Sequence, residues 1–205
     1  MTAFEKYAPD LLAVPEITII PLVEVVDVQK IIDATNDIMK INNGKTVIIN
    51  LKSVVGAFHL QSAVYNALLR ENDHNMKTSS FNSEVAFRLA STSNIQVTQE
   101  KFHIYNNNND IIDINEIAII HVHATTTTTT TNDIDTMTLI NKLKETIRDC
   151  GRLIDKNDIR NRLTKERIQE LGKEFKLSVL EYSDVTDIEK FEDCVVSRIA
   201  IKEIL

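Results

Sequence analysis

MKTSSFNSEVAFRLASTSNIQVTQEKFHI, Met76 to Ile104, is the stretch on which the reading of the fold turns. It opens with a polar segment, Met76 to Ser80, that carries one lysine and three hydroxyl residues. Alternation follows: Phe81, Ser83, Val85, Phe87 and Leu89 fall on one side, and Asn82, Glu84, Ala86 and Arg88 on the other. Period two predicts a half-buried strand. Small hydroxyl and amide residues from Ser91 to Asn94 compete for backbone hydrogen bonds and end it. Ser93 and Gln96 stand at capping-box spacing, which predicts a short helix from there. The unit reads as an exposed basic-hydroxyl lip, a strand and a capped helix.

Upstream, Met1 to Pro15 reads as a polar lead-in punctuated by Pro9 and Pro15. Ile17 to Val26 is β-branched and predicts a first strand, with Pro21 marking an edge position or a bulge. Asp27 is placed to cap a helix whose apolar positions are Val28, Ile31, Ile32, Ile38 and Met39. Asn42-Asn43-Gly44 supplies a left-handed C-cap. Thr46 to Asn50 predicts a short buried strand. A helix from about Phe58 to Glu71 has an inner stripe of Ala57, Leu60, Val64, Ala67 and Leu68. Its end leads into the lip, bringing Arg70, His74 and Lys77 close together in sequence.

Downstream, Asn106 to Asn109 is a low-complexity turn, and Ile117 to Val122 predicts another strand. Thr125 to Thr131 cannot bury apolar area and reads as an inserted, mobile loop. Thr136 precedes a helix through Leu139, Ile140, Leu143 and Ile147 that ends at Gly151. A charged connection, Asp155 to Arg162, leads to a helix over Thr164 to Lys176. Thr186 and Glu189 stand at capping-box spacing before a final helix. With no internal repeat or clear linker, the expectation is one domain over residues 1–205. Its class is α/β in the broad sense, a mixed α+β arrangement of a single sheet with helices packed on it.

Composition bounds the function. The chain has 205 residues, 43% hydrophobic and only 5% aromatic, so aliphatic side chains must fill the core. A formal net charge of −7 argues against broad binding to nucleic acid or anionic membranes, while allowing a local basic patch. Cys150 and Cys194 are far apart, form no CxxC and lie in helical patterns, so they read as structural free thiols in a reducing compartment. There is no signal-peptide pattern, and no apolar run approaches the roughly 20 residues of a membrane span. The expected location is cytoplasmic and nuclear.

Catalytic chemistry has little support in the residues. Four glycines, Gly44, Gly56, Gly151 and Gly172, cannot build a glycine-rich phosphate cradle. No GxSxG or supported Cys–His pair occurs. Asp110 with Asp113, and Asp133 with Asp135, lie in Asn- or Thr-rich loops where such residues turn the chain. His121 and His123 share a strand face, yet a third ligand at useful spacing is missing, so they read as a solvated strand end. No catalytic residue, metal or cofactor is expected. Lys77 and Thr78 offer a phosphate contact, with Arg70, Lys52 or Lys45 nearby.

The last helix is anomalous. Ile188, Phe191, Val195 and Ile199 form one narrow stripe, while Val196, Ala200, Ile201 and Ile204 fall on a different side. A helix on a single core needs one stripe. Two sides mean burial between layers or a docking surface.

Met76-Lys77-Thr78, Ser83-Glu84, Phe87, Leu89, Ser91, Asn94-Ile95 and Phe102-x-Ile104, with Asp193 to Leu205 at the chain's end, resemble the KEOPS subunit family that binds the complex's atypical kinase, the TPRKB type. The likeness runs from about Ile17 to Leu205. Ser79, Thr92 and His103 depart from the pattern, Ser79 standing where the family usually has a basic residue. The resemblance implies a non-catalytic subunit of KEOPS, the complex that makes threonylcarbamoyl-adenosine in tRNA. It implies a heterodimer with the kinase/ATPase subunit through Val195, Val196, Ile199, Ala200 and Ile204 on the last helix. It further implies contact with the tRNA acceptor end through Lys77, Thr78 and Arg70. The residues alone leave open a stand-alone α/β enzyme and a generic interaction domain with no RNA role. A pocket with perturbed carboxylates or histidines would favour the enzyme, and a flat apolar patch along the last helix the subunit.

Overall fold

The computed structural model describes residues 15–39, 44–105, 114–123, 136–182 and 187–204. In chain order the elements are β1 (Ile17–Val23), α1 (Val28–Met39), β2 (Lys45–Asn50), α2 (Ala57–Asn72), α3 (Phe81–Leu89) and α4 (Ile95–Phe102), followed by β3 (Glu116–Val122), α5 (Thr136–Thr146), β4 (Arg152–Leu153), α6 (Lys165–Glu174), α7 (Val179–Tyr182) and α8 (Ile188–Ile204). The strands form one antiparallel sheet in the order β2-β3-β1-β4, a mixed α+β fold. The lead-in to residue 14, Asn42-Asn43, Asn106 to Asn109, Asp110, Asp113, Thr125 to Thr131, Asp133, Asp135 and Thr186 lie outside the described residues.

Both faces of the sheet are covered, which is why the inner stretches of β1, β2 and β3 are apolar on both sides and do not alternate cleanly. Ile19, Val47, Ile49, Ala118 and Ile120 face α2, α3 and α4 through Leu60, Val64, Leu89 and Phe102. Ile20, Leu22, Ile117 and Ile119 face α1 and α5 through Ile31, Ile32, Ile140 and Leu143. Pro21 stands in a central strand, and its carbonyl accepts from the Ile154 N–H at 3.2 Å. In an antiparallel ladder a residue's N–H and C=O point to the same side. The missing N–H of Pro21 therefore faces β4, which pairs with only Leu22 and Val23 of β1.

The stretch Phe81–Leu89 is a helix, correcting the strand that its alternation predicts. Ser80 caps it, its Oγ accepting from the Ser83 N–H at 3.2 Å. Glu84 and Arg88 form an i,i+4 ion pair along it. Every residue from Glu84 to Ala90 is buried. With no exposed face over these turns, the apolar period of the helix is obscured, and the chance alternation of its first residues wins. α4 begins near the expected place, but its cap is Asn94 and not Ser93; the Asn94 Oδ1 accepts from the N–H of Gln96 at 3.0 Å and of Val97 at 3.3 Å. Asp27 caps α1 as expected, accepting from the Lys30 N–H at 2.8 Å.

Two further expectations change. Gly44 has no positive φ, so it is not a left-handed cap. It is small because a Cβ there would lie 2.4 Å from His121 Cε1 and 2.5 Å from the Val122 carbonyl oxygen. His121 is fully buried and not a solvated strand end. Its Nδ1 lies 2.9 Å from Thr46 Oγ1, and His123 Nε2 lies 2.8 Å from Thr18 Oγ1. Burial, with the charge of His123 added, pulls His121 down to about 4, so the ring is neutral at pH 7. Among the described residues no group of three or more His, Cys, Asp or Glu is arranged to hold a metal, and no helix is long and apolar enough to cross a membrane.

Candidate functional site

α8 is the element on which the partner-face expectation rests. Asp187 caps it, its Oδ1 accepting from the N–H of Glu189 at 3.0 Å and of Lys190 at 3.4 Å. Phe191, Val195 and Ile199 enter a third core with Leu171 and Phe175 around α6, and with Tyr182 of α7; Ile188 packs at its margin. Val195 and Ile199, expected at the partner face, are therefore seated inside the protomer. On the other side Val196 is half-buried, Ala200 is exposed and Ile201 is 49% exposed, while Ile204 lies in the last turn. Two sides of one helix are thus distinguished as the sequence pattern indicates.

Three contacts fix how α8 sits. Near its start, the buried Glu192 accepts from the His59 N–H at 2.8 Å and caps α2, whose own N-cap residue, Gly56, offers no side chain. Burial raises the Glu192 carboxyl, and hydrogen bonds from the backbone N–H groups of His59 and Phe58 offset part of that rise. In its middle, Arg198 lies 3.6 Å from Glu181 of α7. In its last turn, Lys202 Nζ donates to the carbonyl of Ala90 at 2.8 Å and of Phe87 at 3.3 Å, and stands 4.4 Å from the centre of the Phe87 ring. A lysine at the exposed carbonyls of a helix C-terminus is favourably placed against the helix dipole.

The lip is built on a buried carboxylate. α2 ends with His74 in the left-handed region, φ 52°. The Asn75 N–H then bonds back to the Arg70 carbonyl at 2.8 Å and the His74 N–H to Glu71 at 3.0 Å, a Schellman closure. Beyond it, Glu84 Oε2 accepts from the Lys77 N–H at 2.8 Å, the Thr78 N–H at 3.0 Å and the Thr78 hydroxyl at 3.0 Å. Its other oxygen takes Arg88 Nε at 2.8 Å. Burial alone would raise Glu84, but hydrogen bonds from Arg88 and Thr78 and the charge of Arg88 hold it below the usual carboxylate range. The backbone of the lip is thereby pinned inward, and the Lys77 side chain is left exposed.

Arg70 is half-buried on the last turn of α2, and Thr78 is half-buried on the lip. Of the neighbouring lysines, Lys45 stands at this end of the sheet, 2.8 Å from Glu71 and 5.3 Å from the Phe81 ring centre. Lys52 does not; it follows the opposite end of β2 and lines a cleft of about 470 Å³ with Asn50, Asn115, Glu116, Arg162 and Arg167. That cleft is polar, and its arginines are committed. Arg162 pairs with Glu116 at 2.6 Å and donates to the carbonyls of Leu51 and Val54. Arg167 pairs with Glu170 at 2.6 Å and donates to the Lys52 carbonyl. The strongly shifted histidines, His59 and His121, and the raised Glu192 are not among its lining residues.

The role of Glu84 was not visible in the sequence, where it fell on the side of the supposed strand opposite Phe81, Val85 and Leu89. Its i,i+4 spacing from Arg88 is the one local signal that could have found it. Against known families, residues 25–203 match the one described as kinase binding protein CGI-121. A comparison with curated proteins finds no match.

Proposed function

The chain belongs to the CGI-121 family of kinase binding proteins, and on that premise we propose that it is a non-catalytic subunit that docks a kinase through α8. The observation that carries the proposal is the division of α8 into two apolar sides. Phe191 and Val195 are fully buried and Ile199 nearly so, which supplies the core contact an amphipathic helix needs. Val196, Ala200, Ile201 and the last-turn residue Ile204 form the docking side, with Val195 and Ile199 fixing its orientation from beneath. Small Ala200 lets a partner helix approach closely. The resemblance of the Met76 to Ile104 and Asp193 to Leu205 segments to the KEOPS subunit extends the reading. The kinase is the atypical kinase of that complex, and the product is threonylcarbamoyl-adenosine in tRNA. The lip, with Lys77, Thr78 and Arg70, then meets the tRNA acceptor end. A reducing cytoplasmic and nuclear setting suits the two free cysteines.

The test pairs two substitutions. Ala200→Glu places a carboxylate on an exposed position, so the monomer keeps its melting temperature, while binding to the kinase weakens by several kcal/mol, on the order of the cost of burying an unpaired charge. Phe191→Ala removes a fully buried ring and destabilises the monomer by about 3–5 kcal/mol. Calorimetric titration with the atypical kinase, run beside thermal melts, checks both. An Ala200→Glu protein that melts normally and still binds at wild-type affinity excludes α8 as the docking element.

A further inference from the structure

We propose that the last turn of α8 and the lip are mechanically joined, so that seating α8 against a partner orders the lip. The inference rests on the reading of α8 as a docking helix and of the lip as an RNA contact, and adds a coupling between them. The physical link is continuous. Lys202 Nζ holds the carbonyls of Phe87 and Ala90 and stands over the Phe87 ring. Arg88 Cζ lies 5.2 Å from the centre of that same ring, and Arg88 holds Glu84. Glu84 holds the backbone N–H groups of Lys77 and Thr78.

The relay runs through α3, which is nine residues long. It is held between α2, α4 and β2 and so moves as a unit, which lets what holds one end bear on the other. Lys202 anchors the C-terminal end, while at the other Glu84 ties the first turn to the lip. The docking side of α8 and Lys202 share the last turns of one helix, since Ala200 and Ile201 immediately precede Lys202. A partner that covers Ala200 and Ile201 restrains that turn, keeps the ammonium on the α3 carbonyls and lowers the entropy cost of fixing the lip. This is coupling by ordering, and linkage makes it reciprocal: RNA on the lip raises affinity for the α8 partner by the same factor.

Amide hydrogen exchange on the full-length protein alone tests the relay without partner or RNA. In Lys202→Met the amides of Lys77 and Thr78 exchange faster, by about tenfold, the factor expected when one charge-assisted anchor is lost from a local opening. The Ile119 and Ile120 amides of β3 keep their wild-type rates, and Lys202→Arg, which retains the cation and its donors, restores most of the protection. Unchanged lip exchange in Lys202→Met overturns the proposal. So does an equal acceleration of the β3 amides, which would mark global destabilisation, or a failure of Lys202→Arg to rescue. Titration of the wild-type protein with the kinase, run alongside, keeps the two ideas apart. Absence of kinase binding removes the docking reading, while unchanged lip exchange removes the relay and leaves docking standing.

Discussion

Glu192 and the amide it caps are 133 residues apart, and the pair shows how single positions hold this fold together. The first turn of a helix leaves N–H groups without partners. In α2 a carboxylate from α8 fills that need, and Gly56 gives it room. A Cβ at Gly56 would stand 2.3 Å from Glu192 Oε1 and 2.5 Å from Cδ. The flexible end of a side chain can normally step aside, but here stepping aside breaks the cap. Gly56→Ala is therefore expected to cost about 1–2 kcal/mol, the value of a lost cap. For a chain of this length that is a fall of about 3–6 °C in melting temperature. Glu192→Ala should destabilise to a similar or greater degree, and the double variant should be less unstable than the sum, because both changes remove one interaction. Additive losses in the melts would show that Gly56 matters for some other reason. None of this was legible in sequence: a glycine before a helix suggests a permissive turn, and a cap supplied from the far end of the chain leaves no local trace.

At the scale of elements, local signals succeeded where exposed polar residues interrupt a helix's core stripe and failed where no residue of the inner turns is exposed. The stripe on α8 was legible because Asp193, Ser197 and other exposed residues break up the apolar pattern. α3 was misread because it is wrapped by α2, α4 and β2 and lacks an exposed flank over Glu84 to Ala90. The consequence is functional, for a helix places Glu84 one turn from Arg88 and behind the lip, where a strand would have separated them. The lip then presents Lys77 outward on a backbone tethered to Glu84. If it meets a single-stranded RNA end, Lys77→Glu weakens binding and reduces the slope of log K against log salt by about 0.7, the share of one phosphate contact. Arg70→Glu should act in the same direction. Filter binding of tRNA across a salt series measures both, with melts showing that the exposed Lys77 change leaves the fold intact. Equal affinity and equal slope in the two variants would remove the lip from RNA binding.

Taken whole, the molecule was well anticipated in class and poorly in detail. Of the four strands among the described residues, three were readable from apolar, β-branched runs, but β4 is two residues long, and the separate core around α6 and α8 depends on contacts between distant segments. That layered burial, with covered sheet faces and a third core, also buries histidines, and this sets how stability responds to pH. Burial takes His59 from 6.5 to about 4, opposed by its hydrogen bond to the Leu89 carbonyl. Its Nε2 lies 3.0 Å from the Leu89 carbonyl oxygen, and its Nδ1 accepts from the Val55 N–H at 3.4 Å. The neutral ring satisfies both contacts, whereas a second proton on Nδ1 would face a donor. His121 is held near 4 as well. Between about 6.5 and 4 the unfolded chain therefore binds protons at these two sites that the native protein does not. Stability must fall as pH falls through that window, by about 1.4 kcal/mol per pH unit for each fully titrating histidine. Glu192 acts oppositely, because its folded pKa is raised above 4.5: it favours the native state as pH falls through its own range. His103, also lowered by burial, and Glu84, whose lowered carboxyl gives up stability as it protonates, act with His59 and His121, so acid is destabilising. Urea unfolding at intervals from pH 7.5 to 4.5 should show a declining free energy with unchanged m-value. His59→Gln, less stable at pH 7, should decline more gently by the share of one proton. A flat profile, or stability that rises toward acid, would mean that His59 and His121 are not held neutral within the fold.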